Sequence, residues 1–172
     1  MKYNHEIHHR KSYRLKEYDY SQAGFYFVTI CTRNREQLFG EINDGVMILN
    51  DFGKIVENWI KEISIHFDNV EIDYFCIMPN HVHIIININE SDIVGAIHEL
   101  PLQRRQMLLP KIIGYFKMNS SKQINIFRNS SGIPVWQRNY YEHIIKNDKE
   151  LFEIRKYIEY NQLNWKDDEY NS

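Results

Sequence analysis

No apolar run in the sequence approaches the roughly 20 residues needed to cross a bilayer, and the opening residues 1–6 lack the apolar core of a secretory signal. The expectation is a cytoplasmic protein with no membrane partner. Cysteine is scarce as well: Cys31 and Cys76 fall inside strand-like runs without metal-ligand spacing, and buried reduced thiols in a cytosolic protein are the simplest account. Charge of one sign is scarce in each of two long stretches. From Glu36 to Glu99 there are 12 acidic residues against only Lys54 and Lys61. From Leu100 to Lys146 eight basic residues face Glu142 alone. The net charge of −2 therefore hides a strong asymmetry. What remains is ordinary for one globular domain of 172 residues, with 43% hydrophobic and 26% charged side chains.

The basic block carries Arg104, Arg105, Lys111, Lys117, Lys122 and Arg138. A solvated helix face would account for a basic run alone. Tyr115, Phe116, Trp136, Gln137, Tyr140 and Tyr141 are interleaved with it, and bases stack on such side chains, which points to nucleic acid. Residues 1–23 form a tyrosine-rich basic arm with Arg10, Lys11 and Arg14, expected to lie on the domain or on a ligand.

Residues 25–32 are β-rich and nearly all apolar, as in a central strand. Asn50 is placed to cap a helix over 51–66, where Phe52, Ile55, Val56, Trp59, Ile60 and Ile63 recur at helical spacing. Strands are expected over 70–78 and 81–89, a loop or insertion over 90–106, a helix over 107–124 and a short strand within 135–145. A last helix, capped by Asn147 or Asp148, should run to Leu163, and residues 166–172 read as an acidic tail. The domain proper is then 24–165. The order strand, helix, strand, strand, helix, strand, helix gives an α+β fold of ferredoxin or RNA-recognition (RRM-like) type: an antiparallel sheet with helices on one face and a C-terminal helix able to meet the other.

The strand His81-Val82-His83-Ile84-Ile85-Ile86-Asn87-Ile88-Asn89 separates at period two. Val82, Ile84, Ile86 and Ile88 make an apolar face, and His81 and His83 head a largely polar one. Same-face neighbours lie roughly 6.5–7 Å apart, so two imidazoles can converge on one metal ion. A half-exposed strand that happens to carry two histidines gives the same pattern. In the last helix Leu151, Ile154 and Ile158 form the packing stripe. Tyr157 and Asn161, four apart, share one side at its margin. Asn161 could give a third, oxygen ligand, with the Tyr157 phenol reaching over the metal.

At this point the chain resembles a known family. Pro79-Asn80-His81-Val82-His83 is a His-hydrophobic-His motif, and Tyr157-Ile158-x-x-Asn161 resembles the nucleophile helix of single-tyrosine HUH transposases. The runs from Val135 to Ile145 and from Tyr18 to Thr29 look like the REP-associated tyrosine transposase branch, and the resemblance covers about residues 10–165 in order. It implies a metal-dependent endonuclease and strand transferase that cleaves single-stranded DNA beside a hairpin. Tyr157 would be the nucleophile, leaving a 5′-phosphotyrosine link and a free 3′-hydroxyl. His81, His83 and Asn161 would hold Mg²⁺ or Mn²⁺. Family members commonly have proline after the asparagine, whereas Gln162 stands here, so whether Asn161 or Gln162 is the third ligand stays open. Arg10, Lys11, Arg14, Arg104, Arg105, Lys111, Lys117, Lys122 and Arg138 would contact phosphates. Glu153 is a candidate base and Tyr160 a rival nucleophile. One tyrosine per chain makes a homodimer an expectation. Two other classes compete: a non-catalytic RRM-like nucleic-acid-binding module, and a histidine-motif nucleotide hydrolase, which Ile85 disfavours by standing where a further alternating histidine would be expected.

Overall fold

The computed structural model describes residues 19–90, 107–168, 170 and 171. Arg10, Lys11, Arg14, Arg104 and Arg105, most of the arm and nearly all of the 90–106 segment lie outside the described residues. Six strands and three α-helices are present among them: β1 (Gly24–Cys31), β2 (Gly40–Asn43), β3 (Val46–Leu49), α1 (Asp51–His66), β4 (Val70–Met78), β5 (His81–Ile88), α2 (Leu108–Phe127), β6 (Tyr141–Ile145) and α3 (Asp148–Asn161). The main sheet has the order β4-β5-β1-β6, with every neighbouring pair antiparallel. This is the expected split βαβ arrangement, with the histidine strand β5 paired on both sides.

Alternation along β5 divides two cores. Val82, Ile84, Ile86 and Ile88 join Val28 and Ile30 of β1 beneath α1 and α2, through Ile55, Ile60, Ile112 and Phe116. On the opposite face Ile85, Phe27, Cys76 and Met78 meet Leu151 and Ile158 of α3. Both faces are therefore covered. The histidine side, expected to be largely polar, lies buried because α3 lies over it.

Local chemistry explains the element ends. The Asn50 side chain accepts the Gly53 amide at 3.0 Å and starts α1, while Asn147 accepts the Glu150 amide at 2.9 Å and starts α3. Such caps satisfy amides that a helix start leaves unpaired. α2 runs three residues past the expected Ile124, and α3 stops two short of Leu163. The β2–β3 hairpin was not anticipated. Asp44 and Gly45 both have positive φ (52° and 78°), as a two-residue type I′ connection requires. The end of the arm is anchored: Tyr20 is buried, its carbonyl accepts the Leu109 amide at 3.1 Å, and the Ser21 hydroxyl accepts the Leu108 amide at 2.9 Å. Among the described residues no helix is long and apolar enough to cross a membrane. Cys31 is half-buried and Cys76 is buried.

Candidate active site

The site is built where β5 starts. Strand register puts Thr29 of β1 and Cys76 of β4 opposite His83. His81 and His83 are fully buried, and their Nε2 atoms lie 3.0 Å apart. Each outer nitrogen is engaged. The His81 Nδ1–H donates to Asn80 Oδ1 at 2.8 Å, and His83 Nδ1 is 2.8 Å from Thr29 Oγ1. The Asn80 amide is itself oriented, because Nδ2 donates to the carbonyls of Tyr170 and Arg35. Its Oδ1 can only accept, which fixes the His81 proton on Nδ1 and leaves a lone pair on Nε2. The Thr29 hydroxyl can either donate or accept, so His83 can also present an Nε2 lone pair.

Burial sets the charge state. The charged form of His81 is penalised chiefly by loss of hydration; Asp168 opposes this and Arg35 adds to it, and the pKa falls from 6.5 to about 4. His83 is held well below its ordinary value by burial and then by His81. Both imidazoles are neutral near pH 7, the state a metal ligand needs.

α3 brings up the other half. Leu151 and Ile158 anchor it on the sheet, while Tyr157 stays 44% exposed with its ring 5.3 Å from His83 and 6.1 Å, edge-on, from Phe27. Asn161 is buried; its Nδ2 donates to Asp168 Oδ2 at 2.9 Å and its Oδ1 has no hydrogen-bond partner. Gln162 points elsewhere. Its Oε1 accepts the Met47 amide at 3.0 Å and its Nε2 lies 3.3 Å from Cys76 Sγ, tying α3 to the hairpin and to β4. Tyr160 is about half exposed. Tyr157, Tyr160, Asn161, Glu153, Lys156 and Asp168 line one open cleft of about 620 Å³.

Residues of the expected acidic tail fold back onto the pair. A 3-10 turn, Trp165–Asp167, follows α3, and Tyr170 lies with its ring 4.7 Å from His81 and under Arg35. Ligand atoms of His81, His83 and Asp168 all lie within 4.8 Å of one another. Sequence reading missed Asp168 and Thr29. Trp165 and Tyr170 flanking an acidic run were the available signal, because a solvated tail rarely carries aromatics.

The expected phosphate contacts are not gathered at this cleft. Lys111 and Lys122 are exposed on α2, across the sheet from the histidines. The Lys117 ammonium donates to the carbonyls of Gln137 and Arg138, which gives it a structural task. Arg138 is exposed on the segment before β6.

No family model matches the chain. A Haemophilus influenzae protein named "Uncharacterized protein" is 45% identical over 177 residues, covering 98% of this chain and 96% of that protein. A second from the same organism, "Putative REP-associated tyrosine transposase", is 31% identical over 148 residues, covering 84% of this chain and 73% of its own length. A solved structure described as a REP-associated tyrosine transposase bound to a REP hairpin superposes with a TM-score of 0.59 at 20% identity, over 89% of this chain and 73% of that one. At that identity it supports the fold alone.

Proposed function

The chain belongs to the REP-associated tyrosine transposase family, and from that membership we propose that it cleaves and rejoins single-stranded DNA next to a hairpin through a 5′-phosphotyrosine intermediate on Tyr157. The observation that carries this reading is the half-exposed Tyr157 ring, which lines the cleft and lies 5.3 Å from the buried His83. The Tyr157 oxygen attacks the scissile phosphorus, the bond to the 3′-oxygen breaks, and the departing oxygen takes a proton to become a free 3′-hydroxyl. One phosphodiester replaces another, so the bond is kept for rejoining to a second 3′-hydroxyl. A phenol with a pKa near 10 is a weak nucleophile at neutral pH. Glu153, one turn earlier on α3 and lining the same cleft, is the candidate to take its proton.

His81, His83 and Asn161 would hold the divalent ion. Its fit rests on two neutral imidazoles with adjacent Nε2 atoms and on the buried, unpartnered Asn161 Oδ1. A Mg²⁺ or Mn²⁺ ion bound there supplies Lewis-acid polarisation of the scissile phosphate. Asn161 is preferred to Gln162 because the Gln162 amide is already engaged with Met47 and Cys76. Tyr157 is preferred to Tyr160 because its ring alone of the two contacts His83 and Phe27 among the described residues. Covering of both sheet faces disfavours a module that binds nucleic acid on an open sheet. The hairpin would be held by phosphate contacts from Lys111, Lys122 and Arg138, with Arg10, Lys11, Arg14, Arg104 and Arg105 as further candidates. Exchange of two strand ends by a chain with one nucleophile favours a homodimer, and a chain with only two cysteines fits a reducing cytoplasm.

The test is incubation with labelled single-stranded DNA carrying a REP-type hairpin and Mn²⁺, followed by a denaturing gel. A slow-migrating protein–DNA adduct is expected, lost with chelator, with His81→Ala and with Tyr157→Phe. Hairpin binding by Tyr157→Phe should persist. An adduct that survives Tyr157→Phe would overturn the assignment.

A further inference from the structure

We infer that Asp168, carried by the segment after α3, is a direct ligand of the divalent ion, completing with His81 and His83 a two-histidine, one-carboxylate set. This rests on the metal-dependent reading given above and adds a ligand from a part of the chain where none was expected. Three observations converge. The ligand atoms of His81, His83 and Asp168 lie within 4.8 Å of one another. Metal bonds of about 2.0–2.2 Å put donors around one ion roughly 3–4.2 Å apart, so only a small contraction is needed.

The second observation is the Asn161 amide. Its Nδ2 donates to Asp168 Oδ2 at 2.9 Å, and its Oδ1 is left buried with no hydrogen-bond partner. A buried acceptor without a partner is costly, and an ion beside it removes that cost. Asn161 thus orients the carboxylate through one amide atom and offers the other to the same ion.

The third is that Asp168 is held in place. The Tyr170 amide donates to Asp168 Oδ1 at 2.6 Å, the Tyr170 carbonyl accepts from Asn80 Nδ2 at 2.7 Å, and the Tyr170 ring lies 4.7 Å from His81. Asn80 in turn fixes the His81 tautomer. One chain of contacts therefore sets a histidine and the carboxylate together. Such outer partners orient ligands and tune their basicity. A carboxylate added to two neutral imidazoles shifts the site toward hard divalent ions such as Mn²⁺ and Mg²⁺.

The experiment is Mn²⁺ titration of the full chain, reading free Mn²⁺ by electron paramagnetic resonance, for the wild type, Asp168→Asn and His81→Ala. Asp168→Asn keeps the volume but only one of the two oxygens that accept from Asn161 Nδ2 and the Tyr170 amide, so metal-free melting should fall only by the few degrees that one lost hydrogen bond costs, with the fold retained. The expected result is Mn²⁺ affinity weakened by about tenfold or more in Asp168→Asn, at least the scale known for outer partners. Hydrogen exchange of residues 165–171 should slow when Mn²⁺ is added to the wild type and stay unchanged in Asp168→Asn. Wild-type affinity in Asp168→Asn with loss in His81→Ala overturns the Asp168 assignment and leaves the metal-dependent reading standing. No Mn²⁺ binding by the wild type overturns both.

Discussion

Two imidazoles buried side by side are costly to charge, and that cost has a pH signature. His81 has its pKa lowered from 6.5 to about 4, and His83 shifts the same way. The unfolded chain therefore binds more protons than the folded one between about pH 4 and 6.5. Stability from these groups is present above pH 6.5 and is lost as pH falls toward 4. Denaturant unfolding of the metal-free protein across that window should record this loss, which His83→Asn should reduce; a flat wild-type profile would contradict neutral buried histidines. Thr29 acts at the same scale, since its hydroxyl lies 2.8 Å from His83 Nδ1. Thr29→Val leaves that nitrogen buried without a partner, at a cost of about 1–3 kcal/mol. It should also weaken Mn²⁺ binding by about 10–100-fold. Urea unfolding and metal titration check both, and wild-type values in both would remove Thr29 from the site. The histidine pair was legible in the sequence because a strand period of two needs no tertiary information. Thr29 was not, because its place opposite His83 follows from the β1–β5 register, which alternation within one strand does not determine.

Among the elements, α1 and β4 have the bounds that their caps and periodicity predict, since Asn50 starts one and an apolar strand run defines the other. The β2–β3 hairpin escaped because each strand has only four residues, with Val46 and Ile48 exposed. Too short a run carries no reliable period. Its importance is positional. The Met47 amide donates to Gln162 at 3.0 Å, and the hairpin tip packs on Leu163, so the hairpin fixes the end of the helix that carries Tyr157 and Asn161. A Cβ added to Gly45 would stand 2.6 Å from Leu163 Cδ2, at a backbone φ of 78°. Gly45→Ala should therefore destabilise the fold by about 1–2 kcal/mol and lower adduct yield through a misplaced α3. Thermal unfolding together with the adduct gel checks this, and full stability with full yield would contradict the docking role.

Across the whole molecule, the proposed function would divide catalysis and DNA retention between the two faces of the sheet. α3 carries Tyr157, the proposed nucleophile, on the histidine face, while Lys111 and Lys122 are exposed on α2 at the opposite face. Phosphate contacts give affinity with little sequence information. Lys122→Gln should weaken hairpin binding about equally for different sequences and reduce the salt slope by about 1. It should leave the adduct formed per bound complex unchanged, and a lower adduct fraction at saturation would contradict the division. The ferredoxin-like order was legible from the succession of elements. Asp168 was hidden because a short acidic run without periodicity looks like a solvated end until folding brings it to His81.

The most direct test of the account is peptide mapping of the covalent complex. Wild-type protein is allowed to react with hairpin-bearing single-stranded DNA and Mn²⁺, digested with protease and nuclease, and read by mass spectrometry. The predicted result is a 5′-linked nucleotide on Tyr157 in the peptide that also contains Asn161. A nucleotide on Tyr160 or another residue, or cleaved DNA ending in a free 5′-phosphate with no adduct, would contradict it.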